Sequence, residues 1–149
     1  MQEFLYLMQF RGRAVQTGRN PDTFHLRTFG ESCTITTTID EEGIRCALQP
    51  VVNGRAVCTT DVEMRGEAAF VESGVIEFGA GGHRLHIRSV REGHIGQSAN
   101  PRLQSGSVTY EVERGEGQFQ GATGLITSNF LVDEAGEVTE FHCAVLQVR

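Results

Sequence analysis

Gly74-Val75-Ile76-Glu77-Phe78-Gly79-Ala80-Gly81-Gly82-His83-Arg84-Leu85-His86-Ile87 decides the reading of the chain. Two runs of alternating apolar and polar residues flank a glycine-rich break, the pattern of two half-buried strands joined by a tight turn. With Gly79–Gly82 as the turn, Phe78 faces His83, Ile76 faces Leu85 and Gly74 faces Ile87, while Glu77 meets Arg84 on the opposite face. Opposite charges directly across a ladder are favourable. A slip of one residue would place Glu77 among apolar groups, so the first register is expected.

The same period of two runs outward through the rest of the chain. Phe4, Tyr6, Met8 and Phe10 alternate with Leu5, Leu7, Gln9 and Arg11, and Cys33, Ile35, Thr37 and Ile39 with threonines and Ser32. Ile44, Cys46 and Leu48, then Ala56, Cys58, Thr60, Val62 and Met64, then Val108, Tyr110 and Val112 continue the pattern. No stretch keeps a helical apolar stripe, and turn signals such as Asn53-Gly54, Asn100-Pro101 and Asp133-Glu134-Ala135-Gly136 recur at short intervals. A turn at Asp133–Gly136 groups Ile126, Ser128, Phe130, Phe141, Cys143 and Val145 on one face. The expectation is an all-β, single-domain chain over residues 1–149, with eight or nine antiparallel strands closing into an up-and-down β-barrel.

Composition removes several functions. The 149 residues include 13 arginines and no lysine, so lysine Schiff bases and phosphate-loop lysines are excluded. A formal charge of −6 argues against nucleic acid or an anionic membrane as partner. No apolar run has the length of a membrane span. Met1–Met8 has neither the basic start nor the cleavage site of a signal peptide, and a cytoplasmic location is expected. Cys33, Cys46, Cys58 and Cys143 form no Cys-x-x-Cys and fall on apolar faces, which reads as core thiols. His83 and His86 point to opposite faces of one strand, and no metal site is expected.

The segment Gly115-Glu116-Gly117-Gln118-Phe119-Gln120-Gly121-Ala122-Thr123-Gly124 resembles the G-x-G-x-F-x-G-A-x-G motif of the allene oxide cyclase-like barrel proteins and their dirigent relatives. The resemblance covers the last third of the chain. It implies an eight-stranded antiparallel barrel with an apolar lumen, often in a dimer or trimer, working without an organic cofactor. Members of that group isomerise a fatty-acid epoxide, steer radical coupling or cyclise polyketide-type natural products. Glu3-Phe4-Leu5-Tyr6 does not match the N-terminal site motif of the plant cyclases, so no catalytic residue is carried over.

The residues themselves supply candidates. Counting back by two from Phe78 puts Glu72 and Phe70 on the inward face, whereas Glu63, Glu77, Glu111, Glu113 and Glu140 fall outward. A lone carboxyl in an apolar lumen has a raised pKa and suits general acid–base work near neutrality. A bulge at Ser73-Gly74 would instead place Glu72 in water. Tyr6 and Tyr110, the only tyrosines, face inward and could orient a substrate oxygen. Glu72, Tyr110 and Tyr6 are thus the catalytic candidates. Phe4, Met8, Phe70, Phe78, Thr60, Ser128, Phe130, Phe141 and Cys143 are the candidate lining for an apolar small molecule. Guided cyclisation or isomerisation is the expected chemistry, with a lipocalin-like carrier as the alternative. Outward Leu5, Leu7, Leu125, Leu131 and Leu146 predict a homo-oligomer, dimer or trimer.

Overall fold

A computed structural model describes residues 1–149. Nine antiparallel strands form one sheet: β1 (Gln2–Gln16), β2 (Thr23–Asp40), β3 (Gly43–Met64), β4 (Ala69–Phe78), β5 (His83–Ser89), β6 (Gly93–Gln97), β7 (Leu103–Glu116), β8 (Thr123–Asp133) and β9 (Glu137–Val148). The sheet closes on itself. Its order is β3-β2-β1-β9-β8-β7-β5-β4, and β3 pairs with β4 to complete an eight-strand ring. The short β6 continues the line of β5 beyond a break at Val90–Glu92, pairing with β4 on one side and β7 on the other. Closure leaves no free hydrogen-bonding edge where the eight strands lie within the ring.

The β4–β5 hairpin adopts the register its sequence dictates, with Phe78 opposite His83, Ile76 opposite Leu85 and Glu77 opposite Arg84. Arg84 donates to Glu77 outside the ring, while Ile76 and Leu85 are fully buried inside it. Phe10, Ile87, Ile126 and Leu146 join them. Each such side chain contributes about 1.5–3 kcal/mol by leaving water.

One end of the ring is stoppered. After β7 the chain turns through a 3₁₀ segment, Gly117–Phe119, that delivers Phe119 into the interior. Phe119 packs against Phe4 and Phe78 with ring centroids 5.7 and 5.2 Å away, and Phe78 meets Tyr6 at 5.5 Å. The glycines of the motif permit this turn. Gly117 has φ +64°, and a Cβ on Gly115 would sit 1.8 Å from the Phe119 carbonyl oxygen.

Two expectations need correction. The strand residues Cys33–Ile39 and Ile44–Leu48 do not face the core. Beyond the irregularity at Glu31–Cys33, β2 and β3 leave the ring as a two-stranded arm on which Ile39, Ile44 and Cys46 are exposed. Only Cys58 of the four cysteines is buried. The second concerns β9. Val132 pairs with Val138, so the β8–β9 connection is one residue longer than the four expected. Asp133 holds it by accepting hydrogen bonds from the Ala135 and Glu137 amides. Every β9 side chain therefore points the opposite way from the expectation. Phe141, Cys143 and Val145 lie outside, and Glu140, His142, Ala144 and Leu146 lie inside.

Candidate functional site

The open end of the ring holds a cavity of about 420 Å³. Its walls are mainly apolar, including Leu26, Val62, Met64, Phe70, Ile95 and Phe130, and two buried carboxylates, Glu72 and Glu140, reach it alongside the exposed Glu67. Phe70 and Phe130 meet edge-to-face at 5.8 Å.

Glu72 is 5% exposed and has a partner for each oxygen. Tyr110 donates from β7 to Oε2 at 2.8 Å, and Thr60 donates from β3 to Oε1. No bulge interrupts β4 here. Thr60 pairs with Gly74 and Val62 with Glu72 in unbroken register. Gly74 allows that approach, because a Cβ there would lie 2.1 Å from the Thr59 carbonyl oxygen. Burial, aided by the charge of Glu140, pushes the Glu72 carboxyl up to about 7, against the pull of its two hydroxyl donors. Burial likewise raises the Tyr110 phenol far above its usual range, with the Glu72 charge adding to the effect, so Tyr110 is a neutral donor.

Glu140 behaves in the opposite sense. Burial raises its pKa, but the nearby His142 ring and the hydroxyls of Thr28 and Ser128 outweigh burial and hold it below the usual carboxylate value. Thr28 donates to Oε1 at 2.6 Å and Ser128 to Oε2 at 3.4 Å. Two buried carboxyls with divergent proton affinities thus share one interior, the arrangement that separates a proton-holding acid from an ionised neighbour.

The sequence candidates divide by position. Glu72, Phe70 and Phe130 line the cavity, and Tyr110, Thr60 and Ser128 support its two carboxyls. Phe4, Tyr6 and Phe78 belong to the packing at the stoppered end rather than to the cavity wall, and Met8 packs partly buried against the core. Phe141 and Cys143 are outside, for the register reason given above. Glu140 and His142 escaped the sequence reading through the same error of parity. The signal that could have found them is the Glu-x-His-x-Ala-x-Leu alternation from Glu140 to Leu146, a face as continuous as the one preferred. No protein-family model, curated protein or solved structure matches the chain.

Proposed function

We propose that the ring is an up-and-down β-barrel of the allene oxide cyclase-like type, which encloses an apolar small molecule and guides its cyclisation or isomerisation. The observation that carries this reading is Glu72, a carboxyl with a pKa of about 7 at the wall of a mainly apolar cavity. The cavity volume, about 420 Å³, falls within the roughly 300–1,000 Å³ of small-molecule sites. The eight-strand ring and the glycine-rich segment that closes one end support the same assignment.

In this reading protonated Glu72 gives its proton to a substrate oxygen or carbon as a bond opens or migrates. A proton leaving a neighbouring carbon later restores it, so the conversion is net isomerisation. Tyr110 and Thr60 stabilise the carboxylate left between the two transfers, since both can donate to it. Glu140 stays ionised and keeps Glu72 basic enough to hold its proton near neutrality. Apolar walls that fold a flexible substrate contribute through orientation, worth up to about 7–11 kcal/mol in well-aligned intramolecular reactions.

The test is a panel of apolar epoxides and β,γ-unsaturated ketones, with isomer formation followed by chromatography beside binding of the neutral fluorophore N-phenyl-1-naphthylamine. The expected result is conversion of at least one class, a rate profile with a limb near pH 7, and a loss of roughly 10²–10⁴-fold in Glu72→Gln with fluorophore binding retained. Binding with no conversion by any substrate class would make the protein a carrier. Absence of binding would remove both readings.

A further inference from the structure

We propose that Cys58, Glu140 and His142 form a binding site for a divalent transition-metal ion of the zinc type. The fold assembles what the sequence keeps apart. Cys58 comes from β3, and Glu140 and His142 stand two residues apart on β9, where alternation puts both side chains on the inner face. All three are at most 2% exposed, and one donor atom from each lies within 4.8 Å of the others. Tetrahedral zinc with sulfur at about 2.3 Å and nitrogen or oxygen at about 2.0 Å needs donors roughly 3.3–3.5 Å apart, so closure requires up to about 1.5 Å of side-chain adjustment.

Two further observations point to a missing ligand. Both ring nitrogens of His142 are buried without a hydrogen-bond partner, Nε2 lying 3.5 Å from Glu140 Oε2 outside bonding geometry. A buried imidazole with neither nitrogen satisfied is costly unless something coordinates it. Second, the interior buries the ionised Glu140 and no arginine, and the chain contains no lysine, so a cation would complement its charge. Thiolate, imidazole and carboxylate together are a donor set for zinc or cobalt rather than for magnesium or calcium. Thr28, donating to Glu140 Oε1, would orient that ligand from the second shell. Three protein donors leave a fourth position free, and Glu140, which lines the cavity, marks the route by which an ion would arrive. On binding, the Cys58 thiol loses its proton to solvent and becomes the thiolate ligand. The site does not depend on the role given to Glu72, but an ion on Glu140 would cancel the charge that helps raise the Glu72 carboxyl, so the role of Glu72 is assayed on metal-free protein.

The test uses the full chain, chelator-treated and free of affinity tag, with the surface thiols Cys33, Cys46 and Cys143 replaced by serine to remove adventitious binding. Cobalt(II) titration should reach one equivalent and produce a thiolate-to-cobalt charge-transfer band. Zinc(II) should displace the cobalt and raise the melting temperature, whereas magnesium(II) should do neither. Cys58→Ser should abolish the band, His142→Gln should abolish stoichiometric binding, and Thr28→Val should weaken it by about 10–100-fold. Absence of both the band and the zinc-induced melting shift overturns the site without requiring any core variant to fold. A band that persists in folded His142→Gln protein overturns it equally. Neither result touches the fluorophore and isomerisation assays that decide the role of Glu72.

Discussion

The Tyr110 hydroxyl donates a 2.8 Å hydrogen bond to Glu72 Oε2 across the interior, from β7 to β4, although β5 separates those strands in the sheet. The contact orients the carboxyl and favours its ionised form, opposing burial. Tyr110→Phe keeps the ring and removes the donor. It should move the Glu72 titration above its present value of about 7 and cost about 1–3 kcal/mol of stability, because one carboxyl oxygen loses its partner. Carbon-detected NMR of the carboxyl and chemical denaturation measure the two effects.

Glu72 also links stability to pH. Its pKa is about 7 in the fold against 4.5 for an ordinary glutamate, so the native chain retains a proton that the unfolded chain gives up. The stabilisation is full below pH 4.5 and is lost as pH rises to about 7, amounting to about 3 kcal/mol at about 1.36 kcal/mol per pH unit. Tyr110 from β7, Tyr6 from β1, Cys58 from β3, and Glu140 and His142 from β9 are the other titratable groups buried in the same interior. Comparison with Glu72→Gln isolates the Glu72 contribution. Denaturation at pH 4 and pH 8 should show wild type losing about 3 kcal/mol relative to the variant on going to the higher pH.

How much of this was legible varies from strand to strand, for physical reasons. The β4–β5 hairpin could be registered because Glu77 and Arg84 make one pairing favourable and the slipped one costly. That pairing carried Glu72 and Phe70 to the inner face. The β8–β9 hairpin gives no such clue. Both faces of β9 are rich in apolar residues, Phe141, Cys143 and Val145 on one and Ala144, Leu146 and Val148 on the other, so parity rested on turn length alone. Asp133 capping two amides lengthened the turn by one residue and brought Glu140 and His142 inside. The arm was illegible for another reason. Its alternation from Cys33 to Leu48 is that of a core strand, and nothing local reveals that β2 and β3 outrun the ring.

Gly74 offers a test of the close strand packing beneath Glu72. A Cβ there would come within 2.1 Å of the Thr59 carbonyl oxygen and 2.6 Å of the Thr60 Cα. Gly74→Ala should therefore force β3 and β4 apart beside the Thr60–Glu72 hydrogen bond and cost about 1–3 kcal/mol. Thermal unfolding checks the cost. Gly54→Ala in the arm, where a Cβ meets nothing within 4 Å, serves as the control and should leave the melting temperature nearly unchanged.

The outer faces of β1, β8 and β9 bring apolar residues together. Leu5 and Leu125 both pair with Val145, and Leu7 pairs with Cys143, making one continuous exposed patch. Leu146, expected among them, is buried inside. A patch of this kind is a surface for self-association. Light scattering should report a dimer or larger species at micromolar concentration. Leu5→Glu combined with Val145→Glu should shift it to the 16.3 kDa monomer. A wild-type monomer would remove the expectation of an oligomer.

The central claim is that Glu72 holds a proton near neutral pH inside the cavity. Titrating the Glu72 side-chain carboxyl carbon by NMR, assigned by the signal lost in Glu72→Gln, tests it most directly. The account predicts a midpoint at about pH 7, well above the 4.5 of an ordinary glutamate. A midpoint between about 4 and 5 would mean a solvated carboxylate with no proton to give at neutral pH, and would contradict the proposed acid–base role.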